Sequence, residues 1–140
     1  MRARGHSNQP HDRSSHPAPE QPELLEALRR LRSYRYLAAT EDELQAQLAQ
    51  ALVQEGVAFA REHRLTAEDR VDFYLPRWRA AVEVKVDGSP AEVLRQLHRY
   101  SACADVACLV LVTRRARHGN LPSAIGAKPL HTCCLWEGSL

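Results

Sequence analysis

The sequence predicts an α/β domain with a mixed sheet, because segments of helical and of strand periodicity follow one another along one short chain. Apolar residues recur at helical spacing in three segments, which predicts three amphipathic helices. Three further segments alternate between apolar and polar residues, as half-buried strands do. A seventh segment, Ala107–Thr113, is almost continuously apolar. Such a run is typical of a central strand that is buried on both faces.

The length and composition fit one globular domain with a polar N-terminal tail. The chain has 140 residues, a formal net charge of +2 and 44% hydrophobic residues, which excludes collagen-like, wholly disordered and membrane-spanning classes. Residues 1–21 are polar and rich in Pro, His, Ser and Arg, so we expect a disordered tail there and a single domain over residues 22–140. The tail has no apolar core of a secretory signal. Four cysteines without a signal predict reduced thiols and a cytoplasmic protein, and their spacing lacks the paired knuckles of zinc sites.

The first two predicted helices have recognisable ends. Leucines at helical spacing predict a short helix over Glu23–Leu31. Thr40 and Glu43 then fit a capping box, and the helix that it opens should end at Gly56. Projected back from the apolar stripe of this helix, Glu41 lies on the buried face, whereas Glu43 points sideways. The helix therefore offers one inward carboxylate.

The period of the pattern changes to two after this helix and later returns to the helical value. The predicted strands and helix that follow are Val57–Leu65, Arg70–Leu75, Ala80–Asp87, Pro90–Ala102, Ala107–Thr113 and a weak last strand, Leu130–Trp136. On the second of these strands Val71, Phe73 and Leu75 should share one face. The order of the inner elements is αβββαβ.

Two carboxylates are predicted to face each other on neighbouring strands. If the hairpin turns at Arg77 and Trp78, Asp72 is aligned with Glu83, and the two Cβ atoms lie roughly 5 Å apart. Adjacent like charges destabilise a strand pair, so a cation is expected beside them. Lys85, on the same face as Glu83, is one candidate. A divalent metal ion is the other, because carboxylate oxygens are its natural ligands.

Two interpretations of this strand pair remain open. In one, the acids and Lys85 form a solvated strand face with ion pairs. In the other, they form a metal site, to which Glu41 adds a third carboxylate and Val84 a carbonyl oxygen. The composition favours the second, because the chain contains 17 arginines and only 2 lysines. A lysine at this one position indicates a need for a compact ammonium group.

The residues Glu41, Asp72 and Glu83-Val84-Lys85, on helix, strand and strand, resemble the PD-(D/E)XK nuclease superfamily. Glu41-Asp42-Glu43-Leu44 followed by Gly56 looks like the opening helix of the archaeal Holliday-junction resolvases. Gln96 and Tyr100 in the next helix are similar to the Gln-x-x-x-Tyr motif of the exonuclease branch. The resemblance covers about residues 40–113, and one departure is Val71 where the family often has proline.

The resemblance implies a restriction-endonuclease-like three-layer sandwich and a metal-dependent nuclease. Asp72, Glu83 and the Val84 carbonyl would hold Mg²⁺ or Mn²⁺, with Glu41 bound directly or through water. Lys85 would stabilise transition-state charge and orient the attacking water, and Gln96 would position Lys85 or the scissile phosphate. No organic cofactor is implied.

Basic residues near this core are candidates for contact with a DNA backbone. The alternative is that they belong to a solvated surface. The candidates for nucleic-acid contact are Arg95, Arg99, Tyr100, Arg114, Arg115 and Arg117.

Three functions therefore compete: a DNA endonuclease or exonuclease, a catalytically silent module for nucleic-acid binding or junction recognition on the same fold, and a structural or interaction protein. DNA is the expected partner of the first two, and no membrane partner is expected. A symmetric dimer is plausible for cutting two strands, with Leu24–Leu31 as a candidate interface.

Overall fold

A computed structural model describes residues 21–115 and 120–135 of the chain. The expected tail therefore lies outside the described residues, except Gln21, which begins the first helix. The helices are α1 (Gln21–Arg32), α2 (Glu41–Gln54) and α3 (Pro90–Ser101). The strands are β1 (Ala60–Arg64), β2 (Arg70–Leu75), β3 (Ala80–Lys85), β4 (Cys108–Thr113), β5 (Ala124–Ile125) and β6 (Lys128–Cys134).

The described strands form one six-stranded mixed sheet in the order β1-β2-β3-β4-β6-β5. Strands β1, β2 and β3 are antiparallel neighbours, whereas β3, β4 and β6 run parallel. The predicted α/β class with a mixed sheet is confirmed. All six residues of β4 are buried, as its unbroken apolar run predicts for a central strand.

The helices cover both faces of the sheet. Side chains of α1 and α2 share one core cluster with Val82, Val84 and Val110. Those of α3 share a second cluster with the alternate residues Leu109 and Leu111. Neighbouring residues of a strand point to opposite faces, so the two clusters lie on opposite sides of the sheet.

The apolar stripe of α1 is used inside this chain. Leu24, Leu28 and Leu31 are buried against α2 and the sheet, and only Leu25 is exposed. As a candidate dimer interface, Leu24–Leu31 therefore offers only one exposed leucine, Leu25. No helix in the described ranges has the length and apolar character needed to cross a bilayer.

Both predicted ends of α2 are confirmed. Thr40 Oγ1 accepts the Glu43 N–H at 3.2 Å, and Glu43 Oε2 accepts the Ala39 N–H at 2.8 Å. At the other end Gly56 has φ +68°, a left-handed conformation that favours glycine. The cap employs Glu43 and leaves Glu41, two residues earlier, to face the sheet.

Several strands of the structure begin or end a few residues away from the predicted bounds. Strand β1 begins at Ala60 rather than Val57, and β3 ends at Lys85 rather than Asp87. The last strand is Lys128–Cys134, and the two-residue β5 was not predicted. A strand as short as β5 has no readable period, and it pairs antiparallel with the adjacent β6 through a tight turn at Gly126, which has φ +61°.

One structural feature breaks the alternation that the sequence predicts for β2. Val71 packs with α3, whereas Phe73 and Leu75 pack with α1 and α2, so these residues do not share a face. The register pairs on either side, Arg61 with Phe73 and His63 with Val71, would align Glu62 with Asp72. Glu62 has φ +47°, a conformation that turns β1 at this point. Both strands therefore change face together at Asp72.

The capping box of α2 can be tested by removing one hydroxyl. Thr40→Ala deletes the acceptor of the Glu43 N–H, and we expect the free energy of unfolding to fall by about 1 kcal/mol. Urea denaturation measures this change. Thr40→Ser retains the hydroxyl and should stay close to wild type, whereas equal stability of all three proteins would contradict a role for the cap.

Candidate active site

The candidate site lies where β2 separates from β3. The hairpin between them contains a 3-10 turn, Pro76–Trp78, and the strands then align Phe73 with Val82, Tyr74 with Ala81 and Leu75 with Ala80. This alignment confirms the predicted hairpin register. One step further along, the Asp72 carboxylate replaces a ladder bond, because its Oδ2 accepts the Val84 N–H at 2.7 Å. The Asp72 side chain thus accepts a hydrogen bond that the backbone of the neighbouring strand would otherwise accept.

Glu83 is the most unusual group in this site. Only 3% of its surface is exposed, although it is an acid. Its Oε1 accepts a hydrogen bond from Gln96 Nε2 at 3.0 Å and lies 3.5 Å from Lys85 Nζ. Its Oε2 is buried and has no hydrogen-bond partner among the described residues. A buried oxygen without a partner costs free energy unless something else binds it.

Burial raises the pKa values of both carboxyl groups. The pKa of Glu83 rises to about 8, chiefly by desolvation and further by the charge of Asp72. Desolvation also raises the pKa of Asp72, against the opposing effects of the Val84 N–H and the Lys85 charge. The neighbouring cation therefore does not compensate fully for the burial of two acids. Pairs of this kind occur disproportionately at functional sites.

Helix α3 supports Glu83 through a chain of hydrogen bonds. Gln96 Nε2 donates to Glu83 Oε1 and also to the Tyr100 hydroxyl, at 2.8 Å. Tyr100 in turn donates to the Arg70 carbonyl at 3.2 Å. Gln96 thus contacts Glu83. It forms no hydrogen bond with Lys85, which was one of its two predicted contacts. Tyr100 is 2% exposed and so is not placed to contact a nucleic acid directly.

The structure separates the roles of the two candidate glutamates on α2. Glu43 caps the helix, whereas Glu41 Oε1 accepts the Val86 N–H at 3.1 Å. The helical phase predicted that Glu41 faces the sheet, and it does. The negative charge of Glu41 contributes to the raised pKa of Asp72. Within residues 21–115 and 120–135, however, no three His, Cys, Asp or Glu side chains converge as a metal-binding group.

The candidates for nucleic-acid contact fall into different environments. Arg95 is exposed on α3 and forms no ion pair or side-chain hydrogen bond with the described part of the chain. Arg99 is paired with Asp69 at 3.0 Å. Arg114 is half-buried directly after β4. Arg117 lies outside the described residues.

Arg115 contacts the chain itself, which the sequence did not indicate. Its Nε donates to the Val86 carbonyl and its Nη2 to Asp87 Oδ1, both at 2.8 Å. Asp87 and Arg115 are 28 residues apart, so no local spacing pattern connects them. Knowledge that β3 and β4 are parallel neighbours would have placed their following loops at one edge of the sheet.

The comparisons with known proteins add no relative: no family model, no curated protein and no solved structure matches the chain. The residues of the site are therefore the only basis for assigning a function to the chain.

The raised pKa of Glu83 predicts a pH-dependent stability in the absence of divalent metal. Between its ordinary value of 4.5 and about 8, folded Glu83 retains a proton that the unfolded chain has released. The folded protein thus binds more protons, and its stability falls as pH rises through this window, by up to about 1.4 kcal/mol per pH unit. Glu83→Gln should flatten the dependence. Urea denaturation in a chelator from pH 5 to pH 8 measures both curves.

The exposed acid Glu68 provides the control for this measurement. Glu68→Gln should keep the slope of the wild type, because its side chain is not part of the site. Parallel curves for the wild type and Glu83→Gln would show that Glu83 does not carry the pH dependence.

Proposed function

We propose that this chain is a Mg²⁺- or Mn²⁺-dependent DNA nuclease with a restriction-endonuclease-like core. The single observation that carries the proposal is the Glu83 carboxylate, which is 3% exposed and has one buried oxygen without a described partner. It stands beside Asp72, whose charge acts on it. A divalent cation bound by both groups would remove the cost of burying them.

A purely structural explanation fits this arrangement less well. Buried acids in a core are normally satisfied by full pairing. Here Lys85 Nζ lies 3.5 Å from Glu83 Oε1, and Glu83 Oε2 has no hydrogen-bond partner within the described part of the chain. An apolar residue would stabilise this position better, so the presence of a glutamate here supports a functional role.

The donor set fits a metal that keeps part of its water shell. Mg²⁺ is commonly held by one or two carboxylates plus water and substrate phosphate, so three converging carboxylates are not required. Asp72 and Glu83 would hold the ion. The N–H and C=O of one residue lie at the same edge of a strand, and the Val84 N–H meets Asp72. The Val84 carbonyl is therefore a reasonable third ligand, with Glu41 acting through water.

The proposed chemistry depends on positive charge placed next to the oxygens on which negative charge develops during the reaction. A divalent ion held by Asp72 and Glu83 would lower the pKa of coordinated water and polarise the phosphate. Lys85, whose side chain is 23% exposed, places a compact positive charge 3.5 Å from Glu83 Oε1. It would stabilise the additional negative charge of the phosphorane-like transition state and orient the attacking water. Gln96 keeps Glu83 in place through its bond to Oε1.

DNA is the proposed substrate because the helix that carries Gln96 also carries an exposed cation. Arg95 projects from the same helix as Gln96 and has its charge available for a phosphate. Contacts of this kind supply affinity without sequence preference. Two strands are cut by two sites, so a symmetric dimer remains part of the proposal.

A catalytically silent nucleic-acid-binding module is the second candidate. It is favoured by one observation: among the described residues Glu41 is bonded to the Val86 N–H and does not join Asp72 and Glu83 in a three-carboxylate group. A protein that binds DNA but cleaves no substrate with any divalent ion would establish this alternative.

The nuclease proposal is tested with a cleavage panel of linear duplex, single strand, flap and four-way junction, each with Mg²⁺ or Mn²⁺. We expect cleavage by the wild type and a loss of at least about 100-fold in Asp72→Asn and Glu83→Gln, since a ligand or transition-state contact is removed. Glu68→Gln should cleave like the wild type. Normal cleavage by folded Glu83→Gln would overturn the proposal.

Lys85→Arg tests whether the site needs an ammonium group rather than any positive charge. Arginine keeps the charge but is planar, bulkier and unable to give up its proton. We expect cleavage to fall by at least about tenfold while the folded structure is kept. Single-turnover rates and thermal unfolding measure the two effects separately, and a fully active Lys85→Arg protein would refute the specific need for lysine.

A further inference from the structure

Two loops leave the sheet side by side next to the candidate site. Strands β3 and β4 are parallel neighbours, and their register pairs Lys85 with Thr113. The segments that follow them therefore start at the same edge of the sheet. One leads through Gly88 to α3, and the other begins with Arg114 and Arg115.

The peptide groups of Val86 are held from both ends. Glu41 Oε1 accepts the Val86 N–H at 3.1 Å, and Arg115 Nε donates to the Val86 carbonyl at 2.8 Å. The same guanidinium donates through Nη2 to Asp87 Oδ1 at 2.8 Å. The Val86 side chain is buried in the core. We call Glu41, Arg115 and the Val86–Asp87 segment the Val86 clamp.

We propose that Arg115 is a positioning residue that fixes Lys85 through the Val86 clamp. This inference rests on the proposed nuclease function, in which Lys85 acts on the substrate. Lys85 precedes Val86 directly, and Val86 is its first neighbour outside β3. Restraint of the Val86 carbonyl therefore restrains the backbone from which the lysine projects.

The residue that follows the clamp is a glycine with a left-handed backbone conformation. Gly88 has φ +108°, a conformation open to glycine and strained for other residues. It lies between the clamp and Ser89, whose side chain accepts the Glu92 N–H and caps α3. The clamp thus fixes the chain immediately before this glycine turn.

Arginine is suited to this contact for a geometric reason. Its planar fork presents two N–H groups in fixed directions, here to a carbonyl and a carboxylate. Lysine carries the same charge without the fork. Arg115→Lys therefore separates a positioning role from simple attraction of phosphate, while Arg115→Ala removes both.

The first measurement is steady-state cleavage of the substrate that the wild type cuts best. For both Arg115→Ala and Arg115→Lys we expect kcat to fall about tenfold with KM changed less than about twofold. Arg95→Ala should behave differently, raising KM because a phosphate contact is lost. A wild-type kcat in Arg115→Lys, or a change confined to KM, would overturn the positioning role.

The second measurement needs no activity. Amide hydrogen exchange at Val86, followed by NMR in the full chain, should become at least about tenfold faster in Arg115→Lys and stay unchanged in Arg95→Ala. Unchanged exchange in Arg115→Lys overturns the clamp alone. Absence of cleavage by the wild type overturns the proposed function and the catalytic consequence of the clamp, so the two failures are distinguishable.

Discussion

The architecture of the site depends on the separation of β2 from β3 at Asp72. Beyond this residue the ladder between the strands is replaced by carboxylates: Asp72 accepts the Val84 N–H and Glu41 the Val86 N–H. A strand edge left open in the interior must find partners for its polar groups. Acidic side chains satisfy these donors and also bring carboxyl groups together at this point of the sheet. The separation of β2 from β3 thus explains both the local backbone hydrogen bonds and the presence of carboxyl groups in the candidate site.

The turn in the outer strands makes this separation possible. Glu62 adopts a positive φ, and the register would align it with Asp72, so both strands rotate at the same level. His63 then stacks on Tyr74 on the α3 side, with ring centroids 4.6 Å apart. Strand β1 costs the fold little by turning, because it is a charged edge strand. The strain is placed where the core does not depend on it.

Glu83 shows why such a site is carried on a rigid support. Its burial raises its pKa, which lowers the stability of the metal-free fold near neutral pH. The neighbouring strand β4 is buried throughout and pairs with β3 over its whole length. The apolar side chains buried along this central strand pair stabilise the fold by more than one buried acid destabilises it. Functional sites commonly carry local costs of this kind, compensated elsewhere in the fold.

The sequence predicted what depends on period and local chemistry. The helical phase separated Glu41 from Glu43, the capping box and Gly56 bounded α2, and the turn at Arg77 and Trp78 predicted the hairpin alignment. It did not predict the face change at Asp72, because a positive φ at Glu62 has no signal in a glutamate. That residue adopts the conformation through tertiary context.

The other features that the sequence did not predict are contacts between residues far apart along the chain, and these contacts hold the candidate site in place. The sequence makes Arg115 a candidate for contact with DNA, because it follows a central strand at the end where loops gather, and leaves a solvated surface as the alternative. In the fold, the parallel pairing of β3 with β4 places it beside the Val86 carbonyl instead. Four consecutive residues of β3 and its exit then serve one site: Glu83 and Lys85 through their side chains, Val84 and Val86 through their backbone. In a strand, side chains project from the face and backbone N–H and C=O groups lie at the edge. One short segment can therefore present the side chains of the candidate site and also the backbone groups that hold it in place.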